Sequence, residues 1–145
     1  MICTFGWAAL ALPSHARIKA PSQIMITHDL GGPVEERMRR VERMRQRGEG
    51  VAIPHGRCIS ACTLYLGLPD TCVGRSAEFG FHGPSAATRG LGLPQPEFQR
   101  ISAQMAAFYP APLRDWFLST ARYTTQSYIR VSGAQLIQLG FKECA

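Results

Sequence analysis

Two short apolar stretches, each ending on a chemically able side chain, do most to restrict how this chain folds. Gly56-Arg57-Cys58-Ile59-Ser60-Ala61-Cys62-Thr63 reads as a strand running into a serine at a helix start. Phe79-Gly80-Phe81-His82-Gly83-Pro84 reads as a second strand that ends on a histidine ahead of a Gly-Pro break. Upstream of both, Asp29-Leu30-Gly31-Gly32 is a turn, with Pro33 suited to the first position of the next helix. Strands that alternate with helices in this way predict an α/β domain with a largely parallel sheet flanked by helices.

The rest of the chain fits that frame. Gln23 to Thr27 is expected as a short strand. A helix follows over roughly Pro33 to Gly48, with Val34, Met38, Val41 and Met44 spaced to line one apolar face. Glu35 and Glu36 sit at its positive end and Arg43, Arg45 and Arg47 at its negative end, as the helix dipole favours. Val51 to Pro54 is the next strand, Ala61 to Leu68 a short apolar helix, and Cys72-Val73 and Glu78 to His82 short strands. The Gly- and Pro-rich stretch from Gly83 to Gln95 has no apolar period and reads as a loop. Helices are expected over Glu97 to Tyr109, Leu113 to Ala121, and Ser132 to Leu139, the last capped by Ser132 and closed by Gly140. The sequence shows no internal repeat.

A chain of 145 residues, 46% hydrophobic and 18% charged, has the composition of one globular domain. The apolar run Phe5 to Leu12, with Ser14 and Ala16 after it, suits a signal peptide over residues 1–16. It is atypical, because no Lys or Arg precedes the run, and the run is too short to span a bilayer. Residues 17–145 would then form the domain, periplasmic or secreted. Loss of Cys3 with the signal leaves Cys58, Cys62, Cys72 and Cys144, an even number suited to disulfides. Three pairings are open. Cys62 with Cys72 would make a short helix-to-strand staple and leave Cys58 with Cys144. Zinc fits poorly, since Cys72 and Cys144 lack neighbouring ligands, and neither a metal nor a cofactor is expected.

Serine acyl-transfer chemistry is the leading enzymatic reading. A serine held at a helix start has a stiff backbone and a dipole that favours negative charge. The N–H of Ala61 and those of the Gly31-Gly32 turn are candidate oxyanion donors, and His82 is a candidate base. The plainer readings are a capping role for Ser60 and a structural one for His82.

The Gly31-Gly32 turn, the Ser60 segment and the Phe-His-x-Pro segment, in that order and spacing, resemble the Clp-type serine peptidases of the crotonase-like fold. The motifs Cys58-x-Ser60-Ala61-Cys62-Thr63 and Gly80-Phe81-His82 look closer still to a group of short exported bacterial proteins with that fold. The resemblance covers roughly Gln23 to Cys144 and implies a shortened Clp-type/crotonase-like domain. It makes Ser60 the nucleophile, His82 the base, and Gly32 and Ala61 the oxyanion donors. Tyr128 stands at about the position where such peptidases carry the third, acidic member of the triad. Downstream of His82 the only carboxylates are Glu97, Asp115 and Glu143.

Three functions follow as expectations. The first is an exported hydrolase acting on a peptide or small ester. The second is a catalytically silent relative that binds a partner in the same groove. The third is a basic protein that meets anionic surfaces through the arginines between Arg37 and Arg47. The net charge of +6 owes much to those six arginines, which are expected to be mostly a solvated helix face. No nucleic-acid module or transmembrane helix is expected, and an oligomer is open.

Overall fold

A computed structural model describes residues 22–88 and 91–145. The expected signal segment, residues 1–16, and Cys3 lie outside the described residues. In chain order the elements are β1 (Gln23–Met25), β2 (His28–Asp29), α1 (Val34–Gln46), β3 (Gly50–Ile53), β4 (Arg57–Ile59) and a 3₁₀ helix over Ser60–Gly67. There follow β5 (Thr71–Val73), β6 (Glu78–Phe81), α2 (Gln95–Ala106), α3 (Ala111–Ser119), a 3₁₀ turn at Ala121–Tyr123, β7 (Ile129–Ser132), α4 (Gly133–Gln138) and β8 (Lys142–Glu143).

The strands divide between two four-stranded sheets, ordered β1-β3-β5-β8 and β2-β4-β6-β7. Every pairing is parallel except β6 with β7. The first three strand pairs each give one strand to each sheet and then pass into a helical segment, so the chain coils through three strand–strand–helix units, while in the last pair α4 separates β7 from β8. The mixed α/β, mostly parallel expectation is met. The division into two sheets, and the structural repeat behind it, go beyond the single sheet and repeat-free chain expected. The repeat is carried by backbone pairing, and no recurring residues mark it.

Local chemistry explains most boundaries. Pro33, at φ −57°, is the N-cap of α1, one position before the one expected. Val41 and Met44 bury the face that their spacing predicts, with Val34 and Met38 packed against the core. The apolar segment after Ser60 is a 3₁₀ helix, buried at every position from Ala61 to Leu66. A helix apolar on all sides belongs in the core. Pro110 and Pro112 open α3 instead of merely interrupting a helix. At α4 Ser132 forms the expected cap. Its Oγ accepts from the Gln135 N–H at 3.2 Å, and its own N–H donates to Gln135 Oε1 at 2.8 Å. Strands β2, β7 and β8 were not foreseen, and Asp29, read as the start of the turn, ends β2.

The disulfide pairing differs from the one favoured on sequence. Cys58 joins Cys62, with Cα atoms 5.2 Å apart, and Cys72 joins Cys144, at 4.9 Å. Strand β8 is the reason. It lies in register on β5, with Cys72 opposite Lys142 and Val73 opposite Glu143, and so delivers Cys144 to Cys72. Cys58 and Cys72 lie in different sheets, and Cys62 returns to Cys58 across the chain reversal at Ser60. Two disulfides fit an oxidising compartment. Among the described residues no helix is long and apolar enough to cross a membrane.

The two disulfides carry unequal weight in overall stability. On the chain-entropy scale, a crosslink across 72 positions contributes about 4 kcal/mol and one across four about 2 kcal/mol. Cys72→Ala/Cys144→Ala is expected to lower the urea unfolding free energy by about 2–5 kcal/mol. A change below about 1 kcal/mol would contradict this assignment of weight.

Candidate active site

Strands β2, β4 and β6 run side by side, and their register sets the site. His28, Arg57 and Glu78 are level with one another, as are Asp29, Cys58 and Phe79. Just beyond the carboxyl ends of the three strands come Gly31-Gly32, Ser60 and His82. Carboxyl ends of parallel strands are where α/β sheets habitually bind ligands. Gly32, Ser60, Ala61 and His82 all line one cavity of about 360 Å³. Val34, Ile101 and Met105 contribute apolar wall, and His82 is the only titratable side chain lining it among the described residues.

Ser60 has φ +60° and is the one non-glycine residue with positive φ among the described residues. A serine in that region costs on the order of 1–3 kcal/mol and persists only where its surroundings enforce it. The capping explanation fails, because the helix N-cap is Ile59 and no side chain makes a capping bond. Two contacts hold the serine. Thr63 Oγ1 donates to the Ser60 carbonyl at 2.8 Å, and the Tyr109 hydroxyl donates in turn to Thr63 Oγ1 at 2.7 Å. On the other side, a Cβ on Gly31 would lie 2.6 Å from Ser60 Cβ and 2.9 Å from Oγ, so only glycine fits against the serine. Gly31 has φ +101° and Gly32 φ +134°.

Sequence reasoning missed the clamp that shapes this turn. Asp29 Oδ1 accepts from the Gly31 N–H at 2.8 Å, which removes Gly31 as an oxyanion donor. Arg37 pairs with Asp29 at 2.7 Å and donates to the Gly31 carbonyl at 3.3 Å. Its guanidinium also lies 4.6 Å from the centre of the Tyr65 ring. Asp29-x-Gly31 is an Asx-turn pattern and was readable. The partnership with Arg37 was not. Gly32 N–H has no acceptor among the described residues, and Ala61 N–H lies in the first turn of its helix, where no intrahelical acceptor exists.

His82 Nδ1 lies 2.7 Å from the Gly83 carbonyl. A carbonyl only accepts, so the proton belongs on Nδ1, and Nε2 is left as the ring's acceptor. Gly83 is itself fixed by its N–H bond to the Thr124 carbonyl at 2.9 Å. Among the described residues no hydrogen bond joins Ser60 Oγ to His82, and no carboxylate touches the ring. Glu97 pairs with Arg100, Asp115 with Arg114 and Glu143 with Arg75. The Tyr128 hydroxyl accepts from Arg57 at 2.8 Å and donates to Glu78 at 3.4 Å. His28 and His55 are exposed and do not line the cavity.

Other features lie apart. A larger groove of about 640 Å³ runs between α1 and the end of α2, past Met38, Arg39, Arg43 and Phe108. It holds no serine, cysteine or histidine, so size does not make it the reactive site. Of the six arginines from Arg37 to Arg47, three are in ion pairs, Arg37 with Asp29, Arg45 with Glu42 and Arg47 with Glu49. All four cysteines from Cys58 onward are consumed in disulfides.

Burial pushes the Tyr109 phenol well above its ordinary value, which keeps it a neutral donor to Thr63. In the unfolded chain the phenol ionises near pH 10. Above that pH the unfolded state binds fewer protons than the native one, so stability falls as pH rises. The urea midpoint is expected to decline above about pH 10, with a shallower slope in Tyr109→Phe; an unchanged slope would contradict the role given to Tyr109. Gly31→Ala is expected to destabilise the fold by about 2 kcal/mol or more, through left-handed strain and the clash with Ser60, again read from urea unfolding.

No family model matches the chain, and no curated protein matches it.

Proposed function

We propose that the protein is an exported serine hydrolase of the shortened Clp-type/crotonase-like kind, periplasmic or secreted. Ser60 is its nucleophile and His82 its base. The N–H groups of Gly32 and Ala61 receive the oxyanion. The observation that carries this reading is the left-handed backbone of Ser60 at a strand-to-helix junction, beside a cavity that His82 also lines. A capping serine needs no such strain. Two features support it further. The His82 tautomer leaves Nε2 able to take a proton from the serine hydroxyl. Turn, serine and histidine come from three successive strand–strand–helix units, in the order that the resemblance requires.

In the proposed reaction Ser60 Oγ attacks the carbonyl carbon of a peptide or ester while His82 Nε2 takes its proton. The tetrahedral oxyanion lies between the two backbone donors. His82 then returns the proton to the leaving group, and water repeats the sequence to free the serine. The apolar walls of Val34, Ile101 and Met105 suit an uncharged acyl group.

A second reading has its own observation. With no Ser60–His82 hydrogen bond and no carboxylate on the ring among the described residues, the same groove suits a silent binding protein of the cell envelope. Labelling with a fluorophosphonate probe separates the two. The hydrolase reading expects labelling of the oxidised protein that vanishes in Ser60→Ala and slows by about 10²–10⁴ in His82→Ala. Absence of labelling from mildly acidic to mildly alkaline pH in folded protein leaves the binding reading.

A further inference from the structure

We propose that the Cys58–Cys62 disulfide is a positioning device for Ser60, holding the serine in the left-handed conformation that aims it into the cavity. Ser60 is the central residue of the five-residue segment that this bond closes. Four extended residues would span about 13 Å, yet the Cα atoms of Cys58 and Cys62 are 5.2 Å apart. The chain must therefore double back between them. Ile59 takes no part in the reversal, since it is extended at φ −112° and ψ 149°. The turn falls on Ser60, at φ +60°.

Both ends of the closed segment are anchored. Cys58 and Cys62 are each fully buried within the hydrophobic core, so the bond is attached to a surface that does not yield. Cys58 is fixed further by the pairing of β4 between β2 and β6. Thr63, next to Cys62, adds its hydroxyl to the Ser60 carbonyl. The disulfide thus acts, together with the Thr63 hydroxyl, on the one residue between its ends whose backbone is left-handed. A bond across four positions restricts the unfolded chain only about half as much as one across 72. Its effect is local to the serine, whereas Cys72–Cys144 secures the fold.

The inference rests on the proposed nucleophile for its catalytic consequence, but its geometric part stands independently. The test compares the oxidised full chain with Cys58→Ala/Cys62→Ala and with Cys72→Ala/Cys144→Ala. Two quantities are read. One is the backbone conformation of Ser60, from its amide-to-α-proton coupling and Cα chemical shift. The other is fluorophosphonate kinetics, split into the maximal phosphonylation rate and the probe concentration at half-maximal rate.

The expected result for the Cys58/Cys62 variant is a folded protein that has lost the left-handed signature at Ser60. Its maximal phosphonylation rate is at least tenfold lower, with the half-maximal probe concentration unchanged. The Cys72/Cys144 variant keeps both the signature and the rate while its urea midpoint falls further. Retention of the signature in folded Cys58→Ala/Cys62→Ala, with a rate within twofold of the parent, overturns the proposal. Cys58→Val/Cys62→Ala repeats the test with the lost sulfur volume partly refilled. Failure of both pairs to fold also overturns it, because the bond would then serve the fold as a whole. A parent protein that takes no label sinks the hydrolase reading, and the Ser60 backbone signature alone then decides the positioning role.

Discussion

Parallel pairing of β2, β4 and β6 is the constraint on which the rest of the site depends. Three strands in fixed register bring three chain segments, far apart in sequence, to one edge at the same height. Strand periodicity makes the arrangement unforgiving: a slip of one residue would turn each side chain to the opposite face. With β4 slipped by one residue, Ser60 would leave the level of Gly31 and His82. Cys58 and Ile59 on β4 and Phe79 and Phe81 on β6 are all buried, so any other register would replace packed contacts with mismatched ones. The site is thus specified by the same hydrophobic pattern that specifies the sheet.

Around that frame, short-range contacts are concentrated on backbone geometry. Asp29 and Arg37 shape the glycine turn, Thr63 and Tyr109 hold the Ser60 carbonyl, and Thr124 fixes the peptide that orients His82. Tyr109 is seated among Phe81 and Phe117, so the hydrogen-bond chain that reaches Ser60 begins inside the aromatic core. Packing and polar order are coupled here. The aromatic cluster fixes the phenol, the phenol fixes Thr63, and Thr63 restrains the strained residue.

Much of this was legible in the sequence, and the parts that were not share a cause. The apolar spacing of Val34, Met38, Val41 and Met44, the Ser132 cap and the Gly-Pro breaks are local signals, and each located its element to within a few residues. Ser60, His82 and Gly32 were identifiable because their neighbours mark them as ends of elements. The disulfide pairing and the Asp29–Arg37 clamp depend on contacts between segments. The pairing turned on β8, two exposed residues with no alternation to announce them. The partnership of Thr63 with Tyr109 joins positions 46 apart, and nothing local in either residue discloses it. The 3₁₀ character of the segment after Ser60 was also hidden, since an apolar run of eight residues fits either helix type.

The Gly83 carbonyl that accepts from His82 Nδ1 has a chemical consequence. A peptide carbonyl fixes the tautomer and the plane of the ring as a carboxylate would, but it brings no negative charge. In the proposed acyl transfer, an imidazolium formed at His82 would have only a dipole opposite it. Such a base can begin an attack well and sustain a separated charge poorly. Proton transfer is then easiest where the leaving group needs the proton least, which favours esters and activated acyl groups over the amide bonds of a peptide. The identity of one hydrogen-bond acceptor, a backbone oxygen instead of a side chain, sets a ceiling on how inert a bond this site could break.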